Sequence, residues 1–289
     1  DQKAYRSQLD AEQMKDDALR FKGLLPVRTQ LTVQPGPIKR ISKDLIGIFF
    51  EDINYGADGG LYAELIQNRD FEYNLHDKLG TDPDWNAMHS WKVKGDGLTF
   101  TVDTVQPIHI HNPHYALLNV KTPGSALVNE GWDGIALQKG EKYDFSLFGK
   151  RTTGTSSAVS IILRDNSGSV VASSLISIPS GSWKKVKSTM IASSTVQAAT
   201  LEIIPSGTGG YAFDMVSLFP HNTFKNRPNG LRKDLAQTLA DLHPRFVRFP
   251  GGCVAHGDGL GNIYRWKNTI GPLESRVPQR NLWGYHQTA

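Results

Sequence analysis

Residues 68–220 repeat one pattern, which limits the fold more than any other feature of the sequence. Short segments rich in β-branched and aromatic residues alternate with turn signals such as Lys139-Gly140 and Ser180-Gly181-Ser182. Many short strands at regular spacing are typical of an all-β sandwich, and no apolar pattern of helical length competes with them here. We therefore predict a β-sandwich whose strands cover residues 99–102, 115–120, 135–137, 143–150, 158–164, 170–176, 184–191, 199–204 and 211–218.

Helix and strand signals flank this region on both sides. A continuous apolar run at residues 46–50 is typical of a strand covered on both faces, and residues 61–67 can form one or two helical turns. After the sandwich, four leucines recur at helical spacing and predict a helix with one apolar stripe: Leu231, Leu235, Leu239 and Leu242. A short strand at residues 245–250 completes an α/β unit. Either this unit and the 46–50 strand pair across the inserted sandwich, or the sheet is incomplete in this chain.

A charged residue lies at the end of each flanking strand. Arg248 stands inside an apolar strand, just before the turn Gly251-Gly252. Because burying a guanidinium is costly without an anion, Arg248 either meets a ligand group at the strand end or extends to the surface beside the loop. Glu51 directly follows the other strand. It is either an ordinary loop or capping carboxylate, or it faces polar substrate groups at the mouth of the sheet.

Composition excludes several classes of function. The formal charge is +4 without a dense Lys/Arg tract, so a nucleic-acid partner is not indicated. No apolar run approaches the ~20 residues of a membrane span. The single cysteine, Cys253, excludes an intrachain disulfide and is either a reactive thiol or a small buried filler. Three neighbouring histidines, His109, His111 and His114, lack the partners of a tetrahedral set, so a catalytic metal is not expected.

Three motifs, in order along the chain, resemble those of glycoside hydrolase family 51, the α-L-arabinofuranosidases. The first is Gly47-Ile48-Phe49-Phe50-Glu51-Asp52-Ile53-Asn54, followed by Asp58-Gly59-Gly60-Leu61-Tyr62-Ala63-Glu64. The second is Arg248-Phe249-Pro250-Gly251-Gly252-Cys253, and the third runs from Tyr264-Arg265-Trp266-Lys267 to Arg276. The sandwich resembles a carbohydrate-binding jelly roll that is inserted in larger bacterial and plant members of the family.

The resemblance implies a fold class of α/β plus all-β. The start of a (β/α)₈ barrel is interrupted by an inserted jelly-roll β-sandwich. The expected domains are residues 1–30, an N-terminal leader or helix; 31–67, the first barrel segment; 68–220, the carbohydrate-binding-like insert; and 221–289, the continuation of the barrel.

The resemblance also implies a retaining, exo-acting enzyme that removes terminal arabinofuranosyl groups from arabinan, arabinoxylan or their oligosaccharides. Retention needs two carboxyl groups about 5 Å apart, and the family carries them after later barrel strands. Past the sandwich this chain contains one glutamate, Glu274, which does not follow an asparagine as the family's acid/base does. We therefore expect no catalytic residue in this chain, and no activity from the chain alone.

Four residues match sugar-binding positions of the family. The resemblance implies that Glu51 hydrogen-bonds sugar hydroxyls and that Arg248 orients the pocket and its carboxylates. It also places Cys253 near the sugar, where some members carry asparagine, and makes Trp266 an aromatic wall of the pocket.

Other hypotheses concern the sandwich. In one, the protein is a non-catalytic carbohydrate-binding protein that stacks sugars on exposed aromatic rings, although such rings more often belong to a sandwich core. The candidates are Trp85, Trp91, Trp132, Trp183 and Tyr211. In another, Glu72 and Asp214, where the module begins and ends, hold the structural calcium that related jelly rolls often bind.

The expected partners follow from the same resemblance. They are an arabinose-containing polysaccharide or oligosaccharide and the C-terminal part of the same enzyme, with neither nucleic acid nor membrane. No cofactor is required for such an enzyme, and a homo-oligomer is compatible with it. The N-terminus lacks a signal-peptide layout, which fits a mature secreted or periplasmic protein and does not exclude a cytoplasmic one.

Overall fold

The structure is a computed structural model that describes residues 2–20, 22–26, 28–34, 36 and 40–287. Parts of the predicted segments 1–30, 31–67 and 221–289 lie outside these residues. The chain divides into two compact units, Asp1–Ser42 and Lys43–Ala289. The first unit contains helix α1, Gln2–Arg20, in which Arg20 and Asp16 form an exposed ion pair one turn apart. The domain boundaries given above stay predictions.

The second unit is mostly β-sheet with few helices. Its strands are β1 Ile48–Phe49, β2 Trp91–Lys94, β3 Leu98–Asp103, β4 Tyr115–Val120, β5 Ala126–Asn129, β6 Ile135–Leu137, β7 Lys142–Arg151, β8 Ala158–Arg164, β9 Val170–Ser177, β10 Lys184–Ile191, β11 Val196–Pro205, β12 Gly209–Pro220, β13 Val247–Arg248, β14 Gln279–Arg280 and β15 His286–Gln287. Its α-helices are α2 Lys233–Asp241 and α3 Cys253–His256. Within the described residues, no helix has the length and apolar character needed to cross a membrane.

Strands β2 to β12 form two antiparallel sheets. One has the order β10-β7-β12-β4-β3, and the other has the order β2-β5-β11-β8-β9 with β6 also paired to β11. Along β7, buried and half-buried residues alternate because successive side chains point to opposite faces of a strand. Leu118 and Phe213 of the first sheet share a fully buried cluster with Ile161 and Leu201 of the second. The two sheets therefore pack face to face around one core.

The predicted strands correspond to β3, β4 and β6 to β12. Strands β2 and β5 are not among the predicted strands, and they pair with each other from Trp91 opposite Asn129 to Lys94 opposite Ala126. Both strands are only four residues long, and three of the four residues of β2 are exposed. Such a segment has too few alternating apolar positions to be recognised without its partner.

The two segments that flank the sandwich pair with each other. Strands β1 and β13 are parallel, with Ile48 opposite Val247 and Phe49 opposite Arg248. Of the two alternatives left open by the sequence, pairing across the insert is therefore the correct one. Helix α2 covers the predicted helical segment, but Ala236 is its one buried residue, and Leu242 beyond its end is 61% exposed.

Residues 61–67 do not form the predicted helical turns. Tyr62 pairs with Leu231 in an antiparallel bridge, and the Leu65 amide donates a hydrogen bond to the Leu218 carbonyl at 3.0 Å. These partners come from β12 and from the approach to α2, which local sequence does not reveal. The tertiary contacts therefore override the local helical preference.

Candidate functional site

Parallel pairing brings Glu51 and Arg248 to the same edge of the small sheet. The Phe50 amide donates to the Arg248 carbonyl at 3.0 Å, so Glu51 begins where β1 leaves the ladder. Because parallel strands run in the same direction, their carboxyl ends meet at one edge. That edge is where α/β proteins place ligand-binding groups.

The turn Gly251-Gly252 contacts both side chains. Gly251 has φ +116°, and a Cβ built there would lie 2.4 Å from the carboxyl carbon of Glu51. A Cβ built at Gly252 would lie 3.3 Å from a terminal guanidinium nitrogen of Arg248. Both the backbone conformation and the close approach therefore require glycine at position 251. The structure thus brings Glu51 and Arg248 together on two sides of one turn.

Glu51 is half-buried and held by one hydrogen bond. Its Oε1 accepts the Val254 amide of α3 at 2.9 Å, across 203 residues of sequence. Its Oε2 accepts no hydrogen bond within the described residues. One oxygen therefore fixes the carboxylate in place, and the other remains available to a hydroxyl group.

Arg248 is exposed rather than buried. Its guanidinium carbon lies 4.7 Å from the centre of the Phe49 ring, a cation–π contact that orients the group without neutralising it. No ion pair to Arg248 occurs in the described part of the chain. In this chain the guanidinium therefore lies at the surface beside the loop, with its N–H donors available.

Cys253 and Trp266 lie on the segment that follows the turn. Cys253 is the first residue of α3 and a half-buried free thiol. Trp266 is 61% exposed at the start of the 3₁₀ turn Trp266–Thr269. Among the described residues, neither a hydrogen bond nor a ring contact joins Trp266 to Glu51 or Arg248. The sugar-binding roles of all four residues stay predictions.

A large cavity lies on the other face of the small sheet. It has a volume of about 640 Å³, and its walls are mostly apolar. Ile48 and Phe50 of the β1 segment line it opposite Leu239 of α2, whereas Glu51, Arg248, Cys253 and Trp266 do not. Because side chains alternate along a strand, the polar edge and the apolar cavity occupy opposite faces. The cavity is therefore distinct from the polar site.

The two carboxylates predicted to hold calcium already have protein partners. Glu72 accepts the His114 amide at 2.8 Å and contacts the His114 ring Nδ1 at 2.6 Å. Asp214 accepts the Met215 amide and the Asn112 side chain, each at 2.7 Å. Calcium prefers about six to eight oxygen ligands, and no group of three or more His, Cys, Asp or Glu in the described residues could hold a metal ion. These residues therefore do not fit a calcium ion as they are placed.

We accordingly expect EDTA to leave the melting temperature of the chain unchanged. A bound ion would stabilise the fold by mass action, and its removal would lower the melting temperature. The measurement is thermal unfolding in EDTA and in excess CaCl₂. A fall in EDTA that CaCl₂ reverses would show that Glu72 and Asp214 exchange their hydrogen bonds for calcium.

The aromatic residues of the sandwich act mainly as core. Trp85, Trp91 and Tyr211 are buried, with exposures of 2%, 6% and 0%. Trp183 is half-buried, donates through its indole nitrogen to the Gln106 carbonyl at 3.0 Å, and packs edge-on against another ring. Trp132 is half-buried as well. Three of the five candidate stacking platforms are thus closed to a sugar.

Sequence reasoning missed a buried polar cluster beneath the sandwich. The side chains of Glu64 and Arg69 form an ion pair at 3.2 Å, with exposures of only 1% and 5%. Asp58, Asp70 and His286 lie around the same small cavity. The signal available in the sequence is the density of charges in the run Asn68-Arg69-Asp70-Phe71-Glu72.

Two family models match separate parts of the chain. A model described as a carbohydrate binding domain matches residues 63–208, half of the chain. A model described as an α-L-arabinofuranosidase 1 domain matches residues 238–289, which include β13 and α3.

Several relatives match almost the whole chain. An extracellular exo-α-L-arabinofuranosidase of Streptomyces chartreusis is 37% identical over 92% of this chain and 33% of its own length. α-L-Arabinofuranosidase 1 of Arabidopsis thaliana is 32% identical over 90% of this chain and 39% of its own length. The chain thus spans about a third of the length of the curated relatives it matches.

A solved structure shows the same relation. An arabinose-bound family 51 α-L-arabinofuranosidase superposes with a TM-score of 0.76 and 32% identity. The match covers 88% of this chain and 42% of that one. The chain in which β1 pairs with β13 across the inserted sandwich is therefore similar to a solved α-L-arabinofuranosidase.

Proposed function

We infer that this chain belongs to glycoside hydrolase family 51, as the N-terminal region of an α-L-arabinofuranosidase with a carbohydrate binding domain. We propose that it supplies one wall of that enzyme's sugar pocket. The complete enzyme removes terminal arabinofuranosyl groups from arabinan, arabinoxylan or their oligosaccharides, with retention of configuration. Its nucleophile and acid/base lie outside this chain. The observation that carries the proposal is the contact of Glu51 and Arg248 with one Gly251-Gly252 turn.

The chemistry of this edge suits a sugar ring. A carboxylate accepts hydrogen bonds from hydroxyl groups, and a guanidinium donates them to hydroxyl or carboxylate oxygens. Within the described residues, Glu51 keeps one oxygen available, and Arg248 keeps its donors available. Charge-assisted hydrogen bonds of this kind are stronger than neutral ones. Trp266 offers an exposed aromatic face on the following segment.

We propose that β1 and β13 are two neighbouring strands of a (β/α)₈ barrel. Their parallel pairing and the helix α2 between sandwich and β13 support this. Phe246, Val247 and Phe249 are 52%, 60% and 57% exposed, a large apolar surface for residues of a strand and its ends. Further strands and helices on the same polypeptide would cover these residues and the 640 Å³ cavity.

The alternative function, carbohydrate binding by the sandwich alone, is not favoured. Most of its candidate aromatic platforms are buried. Residues of the sandwich instead join the barrel segment directly, because the Leu65 amide pairs with the Leu218 carbonyl. We therefore give the sandwich a structural role in holding the first barrel segment.

A secreted or periplasmic location fits this proposal. Arabinan and arabinoxylan are external polymers, and the Streptomyces relative is described as extracellular. A homo-oligomer stays a prediction, and the EDTA measurement decides whether Glu72 and Asp214 bind calcium.

The test is Glu51→Gln in the longer polypeptide that carries this chain. Glutamine can still accept the Val254 amide, so the variant removes the charge while keeping the anchoring hydrogen bond. A hydrogen bond to a charged group contributes about 1.5–3 kcal/mol, which predicts a fall in kcat/KM of about 10- to 100-fold on an aryl arabinofuranoside.

Glu130→Gln is the matched control, because Glu130 is an exposed glutamate of the sandwich paired with Lys92. It should leave kcat/KM unchanged. If Glu51→Gln also left it unchanged, Glu51 would not bind the sugar and the proposed pocket would be wrong.

A further inference from the structure

Seven buried polar side-chain atoms of the second unit have no hydrogen-bond partner within the described chain, and five of them belong to residues around one cavity. These five are Asp58 Oδ1, Arg69 Nη2, Asp70 Oδ2, Trp132 Nε1 and His286 Nε2. The cavity has a volume of about 10 Å³. A space of roughly 10–15 Å³, measured with a water-sized probe, holds one water molecule.

The residues come from separate segments of the chain. Asp58 belongs to the loop after β1, Arg69 and Asp70 begin the sandwich, and His286 lies in β15. Trp132 reaches the loop because Gly59 has no side chain: a Cβ at Gly59 would lie 2.6 Å from the indole ring. The cavity is therefore the point where the loop, the sandwich and β15 meet.

Direct bonds among the five groups do not satisfy them. Asp70 Oδ2 and His286 Nε2 are 3.7 Å apart, which allows an ion pair but exceeds hydrogen-bond length. The other terminal nitrogen of Arg69 donates to Glu64 at 3.2 Å, which leaves Nη2 without an acceptor. Each buried group that lacks a hydrogen-bond partner destabilises the fold. A molecule that bridges them would remove most of this destabilisation.

The donors and acceptors identify that molecule. Arginine and tryptophan nitrogens only donate, and the carboxylate oxygens of Asp58 and Asp70 only accept unless protonated. A metal cation would face N–H groups, and an anion would face two carboxylates. A small neutral molecule that both donates and accepts fits the set. Water does so with two hydrogens and two lone pairs.

The protonation states agree with a neutral site. Burial raises the pKa of Asp58, which favours its uncharged form. Burial also opposes the charge on His286, but the carboxylate of Asp70 outweighs it and raises the pKa of the ring. The positive charge of His286 then balances the negative charge of Asp70, and the positive charge of Arg69 balances the negative charge of Glu64.

We propose that this cavity holds one permanently bound water molecule, which donates to Asp58 and Asp70, accepts from Arg69 and Trp132, and ties β15 to the loop and the sandwich. The bound water is a structural part of the junction between the barrel segment and the sandwich.

The test is the transfer of magnetisation from water to indole protons in the ¹⁵N-labelled 289-residue chain. The Trp132 indole signal is assigned by its disappearance in Trp132→Phe. We expect a water cross-peak at Trp132 with opposite signs in NOESY and ROESY spectra, which marks a bound water and excludes proton exchange.

Trp85 provides the internal control. Its indole nitrogen is also buried without a hydrogen-bond partner in the described chain, but Trp85 does not line the cavity. A cross-peak at Trp132 that exceeds any at Trp85 supports the proposal. No cross-peak at Trp132, or one no stronger than that of Trp85, overturns it. The water cross-peaks are measured on the unmodified chain, and Trp132→Phe serves only to assign the Trp132 signal.

Discussion

The 289-residue chain alone is expected to hydrolyse no aryl α-L-arabinofuranoside at a rate above that of buffer. A retaining glycosidase needs a nucleophile and an acid/base about 5–5.5 Å apart. At the polar edge of the small sheet, the Glu51 carboxylate accepts the Val254 amide, and the role proposed for it is sugar binding rather than catalysis. Glu274, the one glutamate after the sandwich, lies in the 3₁₀ turn Leu273–Ser275. Without a carboxylate pair, neither the glycosyl-enzyme nor protonation of the leaving group is available.

The measurement is release of the aryl group by purified chain, with circular dichroism as the check that the sandwich is folded. The matched preparation is Glu51→Gln in the same chain. Turnover that scales with the concentration of the chain and disappears in Glu51→Gln would contradict the account, because it would place the catalytic machinery within these residues.

Removal of either partner of the Glu64–Arg69 pair is expected to destabilise the second unit by about 3–5 kcal/mol, because it leaves a buried charge uncompensated. Glu64 accepts the Ile66 amide at 3.0 Å and the Leu218 amide at 2.9 Å, and it also bonds the Ser217 hydroxyl. The glutamate therefore joins the segment that follows β1 to β12 as well as to Arg69. Glu64→Ala breaks all of these contacts at once.

Chemical denaturation of Glu64→Ala and Arg69→Ala measures this effect. Glu130→Ala is the control, since Glu130 and its partner Lys92 are 53% and 57% exposed, and exposed pairs contribute only about 0–1 kcal/mol. If Glu64→Ala cost no more than Glu130→Ala, the buried pair would not hold the two segments together.

The sequence predicted most of the sandwich because its strands alternate visibly. Tyr143, Phe145 and Leu147 of β7 are buried in the expected alternation. The four-residue strands β2 and β5 lack this alternation and are recognised only from their pairing with each other. Local patterning thus identified long strands and missed those that depend on a partner.

The small sheet shows a different limit of sequence reasoning. The motifs placed Glu51 and Arg248 at strand ends, and the parallel register of β1 and β13 brings these ends together. The leucine stripe of α2 was visible in the sequence, yet Leu235 and Leu242 are 39% and 61% exposed. Periodicity identifies an apolar face, but the elements that cover it need not lie in the same segment of chain.

The buried polar cluster could not be predicted from the sequence. Asp58, Arg69 and His286 are distant in sequence, and each is individually ordinary. Only the packing of the loop, the sandwich and β15 brings them to one cavity.

An experimental structure of the longer polypeptide with arabinose bound tests most directly whether Glu51 and Arg248 bind the sugar. We expect a sugar hydroxyl within about 3.2 Å of the Glu51 carboxylate, beside the Arg248 guanidinium and the Gly251-Gly252 turn. Arabinose bound only against the sheets of the sandwich, with Glu51 in contact with protein alone, would contradict this.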